Sequence, residues 1–105
     1  MQIDFAIHYA GQKPDLHLEA LKVTASATVF DALQTAADQC GFKIASRGID
    51  STLFVSEIDG VKNEGAAGKN WTYRVNGKLG NCSAGAFELS PKDRVEWSLG
   101  DYPAK

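Results

Sequence analysis

The stretch Trp71-Thr72-Tyr73-Arg74-Val75-Asn76-Gly77, with Val95-Glu96-Trp97 further on, limits what this chain can fold into more than any other segment. Trp71, Tyr73 and Val75 alternate with polar residues, so an extended backbone puts all three on one face. Asn76-Gly77 then supplies the two positive-φ residues of a tight hairpin turn. Val95 and Trp97 repeat the alternation. These segments predict strands with an apolar, aromatic face, and the first ends at a fixed point.

The remaining pattern builds a sheet and one helix around them. Ile3, Phe5, Ile7 and Tyr9 alternate with Asp4, Ala6 and His8; Gly11-Gln12-Lys13-Pro14-Asp15 is turn chemistry; Leu16 and Leu18 resume the apolar face with His17 and Glu19 opposite. At Ala20-Leu21 the phase slips to Leu21 and Val23, the mark of a β-bulge, so residues 2–9 and 16–23 read as a hairpin. Thr28 is the N-cap of a helix, Asp31 suits its first turn, and Val29, Ala32, Leu33, Ala36 and Ala37 form one apolar stripe that Gly41 terminates. Beyond it, 42–46 and 52–58 read as strands, 61–69 as a loop, 84–87 as a single turn, and 94–99 as the last strand with Val95, Trp97 and Leu99 inward. A hairpin, one helix and further strands predict an α+β fold. Its form is a β-grasp-like mixed sheet with the helix packed on one face.

Bulk properties narrow the function. At 105 residues the chain suffices for one domain, 1–105, with a core that needs no metal or disulfide staple. A net charge of −2, with acids and bases interspersed, excludes the basic stripe of a nucleic-acid surface. No run approaches the roughly 20 apolar residues of a membrane span. The start, Met1-Gln2-Ile3-Asp4-Phe5, lacks the features of a signal peptide. That predicts a cytoplasmic protein if Met1 is the native start, and an extracellular or periplasmic one if a leader has been removed. Cys40 and Cys82 fit neither a zinc ribbon nor a redox pair. They read as free thiols, and a bridge would need their Cα atoms within about 7 Å.

Enzyme classes find little support. No nucleophile elbow, phosphate loop or Ser-His-Asp arrangement is present, and only Glu57 offers a carboxylate in an apolar setting. Two cysteines are too few for a ferredoxin cluster, and the tail Tyr102-Pro103-Ala104-Lys105 is not the Gly-Gly end of a sulfur carrier. The chain is expected to be a monomer and not an enzyme.

Taken together, Thr28-Val29-Phe30-Asp31-Ala32-Leu33, Ile58-Asp59-Gly60, the Trp71–Gly77 motif, Ser83-Ala84-Gly85 and the Leu89–Trp97 segment resemble the transcobalamin C-terminal-like domain family. This bacterial domain of unknown function is related to the cap domain of animal cobalamin carriers. Lys92-Asp93 stands where the family usually has Gly-Asp, and these 105 residues do not include the helical barrel domain of the animal carriers. The resemblance implies a soluble-ligand-binding β-grasp, a non-catalytic role, and a cobalamin-type ligand that the residues themselves do not name. It places ligand contacts at the rim after the Trp-Tyr strand: Asn76, Lys78, Leu79 and Asn81, with Arg74 on the adjoining face.

The residues leave two other readings open. Trp71, Tyr73, Val75, Val95 and Trp97 serve first as core, since each aromatic buries about 150–250 Å². A protein partner could instead dock on a sheet edge or on the outward face of the first hairpin. If that hairpin pairs Tyr9 with Leu16 and Ile7 with Leu18, His8 faces His17 at about 5 Å between Cβ atoms. The two could then share a metal ion, with Glu19 as a third ligand.

Overall fold

The computed structural model describes residues 1–66 and 68–100; Ala67 and the tail 101–105 lie outside the described residues. Strands β1 (Gln2–His8) and β2 (Leu16–Lys22) form the first hairpin, followed by helix α1 (Val29–Cys40). Strand β3 (Ile44–Arg47), a 3-10 turn (Asp50–Thr52), β4 (Phe54–Ile58) and the short β5 (Val61–Lys62) come next. The chain closes with β6 (Asn70–Val75), β7 (Lys78–Leu79) and β8 (Arg94–Gly100).

Five strands make the main sheet in the order β2-β1-β8-β6-β7, and β3-β4-β5 make a second sheet. The first and last strands pair in parallel at the centre, Phe5 against Val95 and Ile7 against Trp97; the other pairings are antiparallel. This is the β-grasp order. α1 lies against the inner face, where Val29, Ala32, Leu33, Ala36 and Ala37 are buried with Phe5, Ile7, Leu21, Val95 and Trp97.

The helix ends follow from the sequence. Asp31 N–H donates to Thr28 Oγ1 at 3.1 Å and Thr28 N–H donates to Asp31 Oδ2 at 2.9 Å, a reciprocal capping box. Gly41 at φ 80° closes the other end, its N–H bonded to Ala37 O at 2.8 Å.

The second sheet departs from the alternation expected over 52–58. Val55 and Ile58 are both buried, and the register of β3 against β4 shifts between Ala45 and Ser46. A bulge therefore re-aims Ile58 inward, while Phe54, before the bulge and in the phase opposite to Val55, is half exposed. The expected loop at 61–69 begins instead as strand β5. Asp59 and Gly60, at φ 52° and 81°, form a second tight turn of the Asn-Gly kind. Both cysteines are free and exposed.

Trp71 fastens the two sheets. Its indole Nε1–H donates to Val61 O at 2.8 Å and its backbone N–H to Asn63 Oδ1 at 2.7 Å; Asn63 Nδ2 donates in turn to Val55 O at 3.1 Å. Tyr9 meets the Trp71 ring edge-on at 5.7 Å.

The capping box gives a direct test of how α1 is held. Thr28→Ala should cost about 1 kcal/mol. The urea midpoint should fall while the m-value stays unchanged.

Candidate functional site

The β6–β7 turn is built as the Asn-Gly pair requires, with Asn76 at φ 53° and Gly77 at φ 83°. The Asn76 side chain is tied into the fold at both ends of its amide. Its Nδ2 donates to Asp93 Oδ1 at 2.9 Å, and its Oδ1 accepts from Arg94 N–H at 2.9 Å. Asn76 thus pins the hairpin tip to the entry of β8 and shapes the rim.

Asn76, Lys78, Leu79 and Asn81 line one open groove of about 370 Å³, with Phe87 and Glu88 on its other side. Leu79 is one of three large apolar side chains exposed among the described residues; Ile49 and Phe54 are the others. Arg74, expected with this group, is not in the groove. It lies between Glu96 and Leu79 in the register of the main sheet, in the polar phase of β6 opposite to Tyr73 and Val75.

A smaller cavity of about 220 Å³ lies between β4 and β6 and shares only Leu79 with the groove. Tyr73 and Trp97 form part of its wall, their ring centroids 5.5 Å apart. The Tyr73 hydroxyl donates to Cys82 O at 2.5 Å and lies 3.8 Å from Cys82 Sγ; burial first, then the Cys82 thiol, raises its pKa and keeps the phenol neutral. Gly80 lies flat against this ring: a Cβ there would stand 2.1 Å from a ring carbon. Sequence reasoning missed this cavity. The one available signal was Phe54, a large aromatic in the phase opposite to Val55.

The first hairpin requires a correction. Ile7 pairs with Leu16 and Phe5 with Leu18, two residues from the expected register, so His17 faces Ala6 and not His8. The reason is the loop. Tyr9 leaves the ladder, and residues 9–15 close through Gln12 N–H to Tyr9 O at 3.1 Å and Tyr9 N–H to Asp15 Oδ1 at 3.3 Å. The two histidines therefore take separate partners. His17 Nε2 meets Asp4 Oδ1 at 2.6 Å, while His8 bridges Asp15 (2.9 Å) and Glu96 (3.1 Å). Among the described residues, no cluster of three or more His, Cys, Asp or Glu side chains is arranged to hold a metal ion. Glu57, the carboxylate expected in an apolar setting, is only half-buried and pairs in register with Lys62.

His8 is held above its ordinary pKa of 6.5, chiefly by the hydrogen bond to Asp15, against a lesser opposing effect of burial; Glu96 adds to the rise. Asp15 is held below its ordinary 3.8, chiefly by the bond to His8. The His8 contribution to stability is thus complete below pH 6.5 and lost as pH rises through its folded value. The Asp15 contribution is complete above pH 3.8 and lost as pH falls through its own lowered value. Histidine NMR titration should give a His8 midpoint above 6.5, and Asp15→Asn should bring it down.

No curated protein matches the sequence. Among solved structures, haptocorrin in complex with Cbi superposes with a TM-score of 0.78 at 13% identity, over 98% of this chain. The chain spans only 25% of the haptocorrin chain. A "putative metal binding protein" from Ruminococcus gnavus ATCC 29149 superposes with a TM-score of 0.67 at 18% identity, over 96% of this chain and 98% of that one. These likenesses establish the fold, that of the transcobalamin C-terminal domain. The family model described as Domain of unknown function (DUF4430) matches residues 26–101, and the chain belongs to that family.

Proposed function

We propose that residues 1–105 form a single non-catalytic domain that binds a small molecule in the groove beside the β6–β7 turn. One observation carries this reading. Asn76, Lys78, Leu79 and Asn81 gather around one groove, on a fold that haptocorrin presents in a structure with Cbi. The groove offers an exposed leucine, a lysine ammonium and the amide of Asn81. That combination suits a ligand with an apolar face and a rim of carbonyl or amide groups. Asn76 acts by shaping the rim, because its own amide is committed to Asp93 and Arg94. Arg74 is assigned no contact.

A second reading has an observation of its own. β2 forms one edge of the main sheet, with no strand beyond it among the described residues. An extended peptide could add there by strand pairing.

Thermal shift against cyanocobalamin and cobinamide tests the first reading. A ligand at 100 times its Kd adds about 2.7 kcal/mol, roughly 10 °C or more for so small a domain. Leu79→Ser and Asn81→Ala should each reduce the shift while leaving the ligand-free Tm within about 2 °C. Unchanged shifts in both variants refute the groove. No shift with either corrinoid refutes that ligand class and favours the β2 edge.

A further inference from the structure

The polar face of the main sheet, opposite to the apolar face that α1 covers, carries a set of charges that neither the core nor the groove uses. His17 and Arg94 share Asp4 there, at 2.6 Å and 3.2 Å. His8 differs from both, because each nitrogen of its ring is engaged. Nδ1 lies 2.9 Å from Asp15 Oδ2 and Nε2 lies 3.1 Å from Glu96 Oε2. An ionised carboxylate only accepts hydrogen bonds, so each contact needs an N–H on the ring, and only the imidazolium has two. The neutral ring has one N–H and one lone pair. Once His8 loses a proton, one of its nitrogens turns that lone pair on a carboxylate, and the contact changes from attraction to repulsion.

We propose that His8 is a proton-operated switch for Glu96: as imidazolium it holds Asp15 and Glu96 together, and on giving its Nε2 proton to solvent it keeps Asp15 and releases Glu96 to Arg74. Asp15 is retained because Tyr9 N–H holds its other oxygen, Oδ1, at 3.3 Å, and because its contact with His8 is the shorter of the two. Glu96 is released because a cation stands beside it. Arg74 is its direct cross-strand neighbour on β6, at a typical Cβ separation of about 5 Å. Among the described residues Arg74 makes no ion pair. The other charged groups around this pair are bound elsewhere or lie further off. On β8, Arg94 is held by Asp4; on β2, His17 faces Ala6 and is held by Asp4, while Glu19 sits in the bulge opposite Asp4. In the first hairpin loop, Lys13 is held by Asp59 at 3.1 Å. Lys92, in the turn before β8, shares an open cavity with Asp4, Arg94 and Glu96. Ser98, which pairs with His8, and Thr72, which pairs with Ser98, are uncharged. Arg74 also pairs with Leu79 of β7, so the exchange draws its guanidinium from the groove side of the sheet toward the centre as pH rises.

Side-chain NMR of the 15N-labelled domain across a pH titration gives the test. Above the His8 midpoint the neutral ring should carry its proton on Nδ1, the less common tautomer of free histidine, because Asp15 accepts from that nitrogen. The Arg74 Nε–H resonance should shift with the same midpoint as His8. Glu96→Gln should abolish the Arg74 shift, because a glutamine amide N–H can donate to the bare Nε2 and nothing need be released. The same substitution should lower the His8 midpoint, since Glu96 contributes to raising it. Four results would each overturn the proposal: a neutral His8 protonated on Nε2, an Arg74 resonance that stays flat through the His8 midpoint, an Arg94 resonance that moves in its place, and an Arg74 shift that survives Glu96→Gln. The first three are read on the unaltered domain, so the outcome does not hang on how well the variant folds.

Discussion

The parallel pairing of β1 with β8 is the constraint on which the rest of this structure depends. Parallel neighbours cannot be joined by a tight turn, so the chain between β1 and β8 must leave the main sheet and cross over before it returns. That excursion contains α1, which covers the inner face, and the second sheet beside it. Once Phe5 lies against Val95 and Ile7 against Trp97, β2 and β6 can add only on the outer sides of the pair. Both central strands thereby gain neighbours on both sides.

The aromatic residues bind the second sheet to the first. Trp71 joins β6 to β5 through one indole hydrogen bond, Asn63 joins β4 to β6 through its amide, and Ser83 Oγ donates to Leu53 O at 2.6 Å. These polar ties lie around the apolar cavity without filling it. Tyr73 leans across it toward Cys82, and the missing side chain at Gly80 permits that close approach. Polar ties that fix the distance between two sheets can leave a gap that side-chain packing alone would have closed.

Most of the architecture was legible because it rests on local signals. The N-cap at Thr28, the terminating Gly41 and the stripe from Val29 to Ala37 each specify their own neighbourhood, and each stands where the residues put it. The bulge opposite Asp4 was visible as a slip in alternation, since period-two patterning records any inserted residue. The Asp59-Gly60 turn carried the same kind of signal as Asn76-Gly77. It marks the end of β4, but the strand that follows it, Val61–Lys62, is too short to show a period. The first hairpin was read two residues out of register because its long loop is closed by the Asp15 side chain, which no alternation encodes.

The candidate sites divide along the same line. The rim residues Asn76, Lys78, Leu79 and Asn81 are near neighbours on one turn, so sequence could group them; Arg74, although it pairs in register with Leu79, does not line the groove. The cavity beside them draws residues from β4, β6, β8 and the segment after β7. By itself the sequence determined which strands and helix form, which faces turn inward and where the turns fall, because periodicity and turn chemistry act over a few residues. Only the tertiary structure decided the hairpin register, the separate partners of His8 and His17, and the cavity between the sheets. Those depend on distances between side chains remote along the chain.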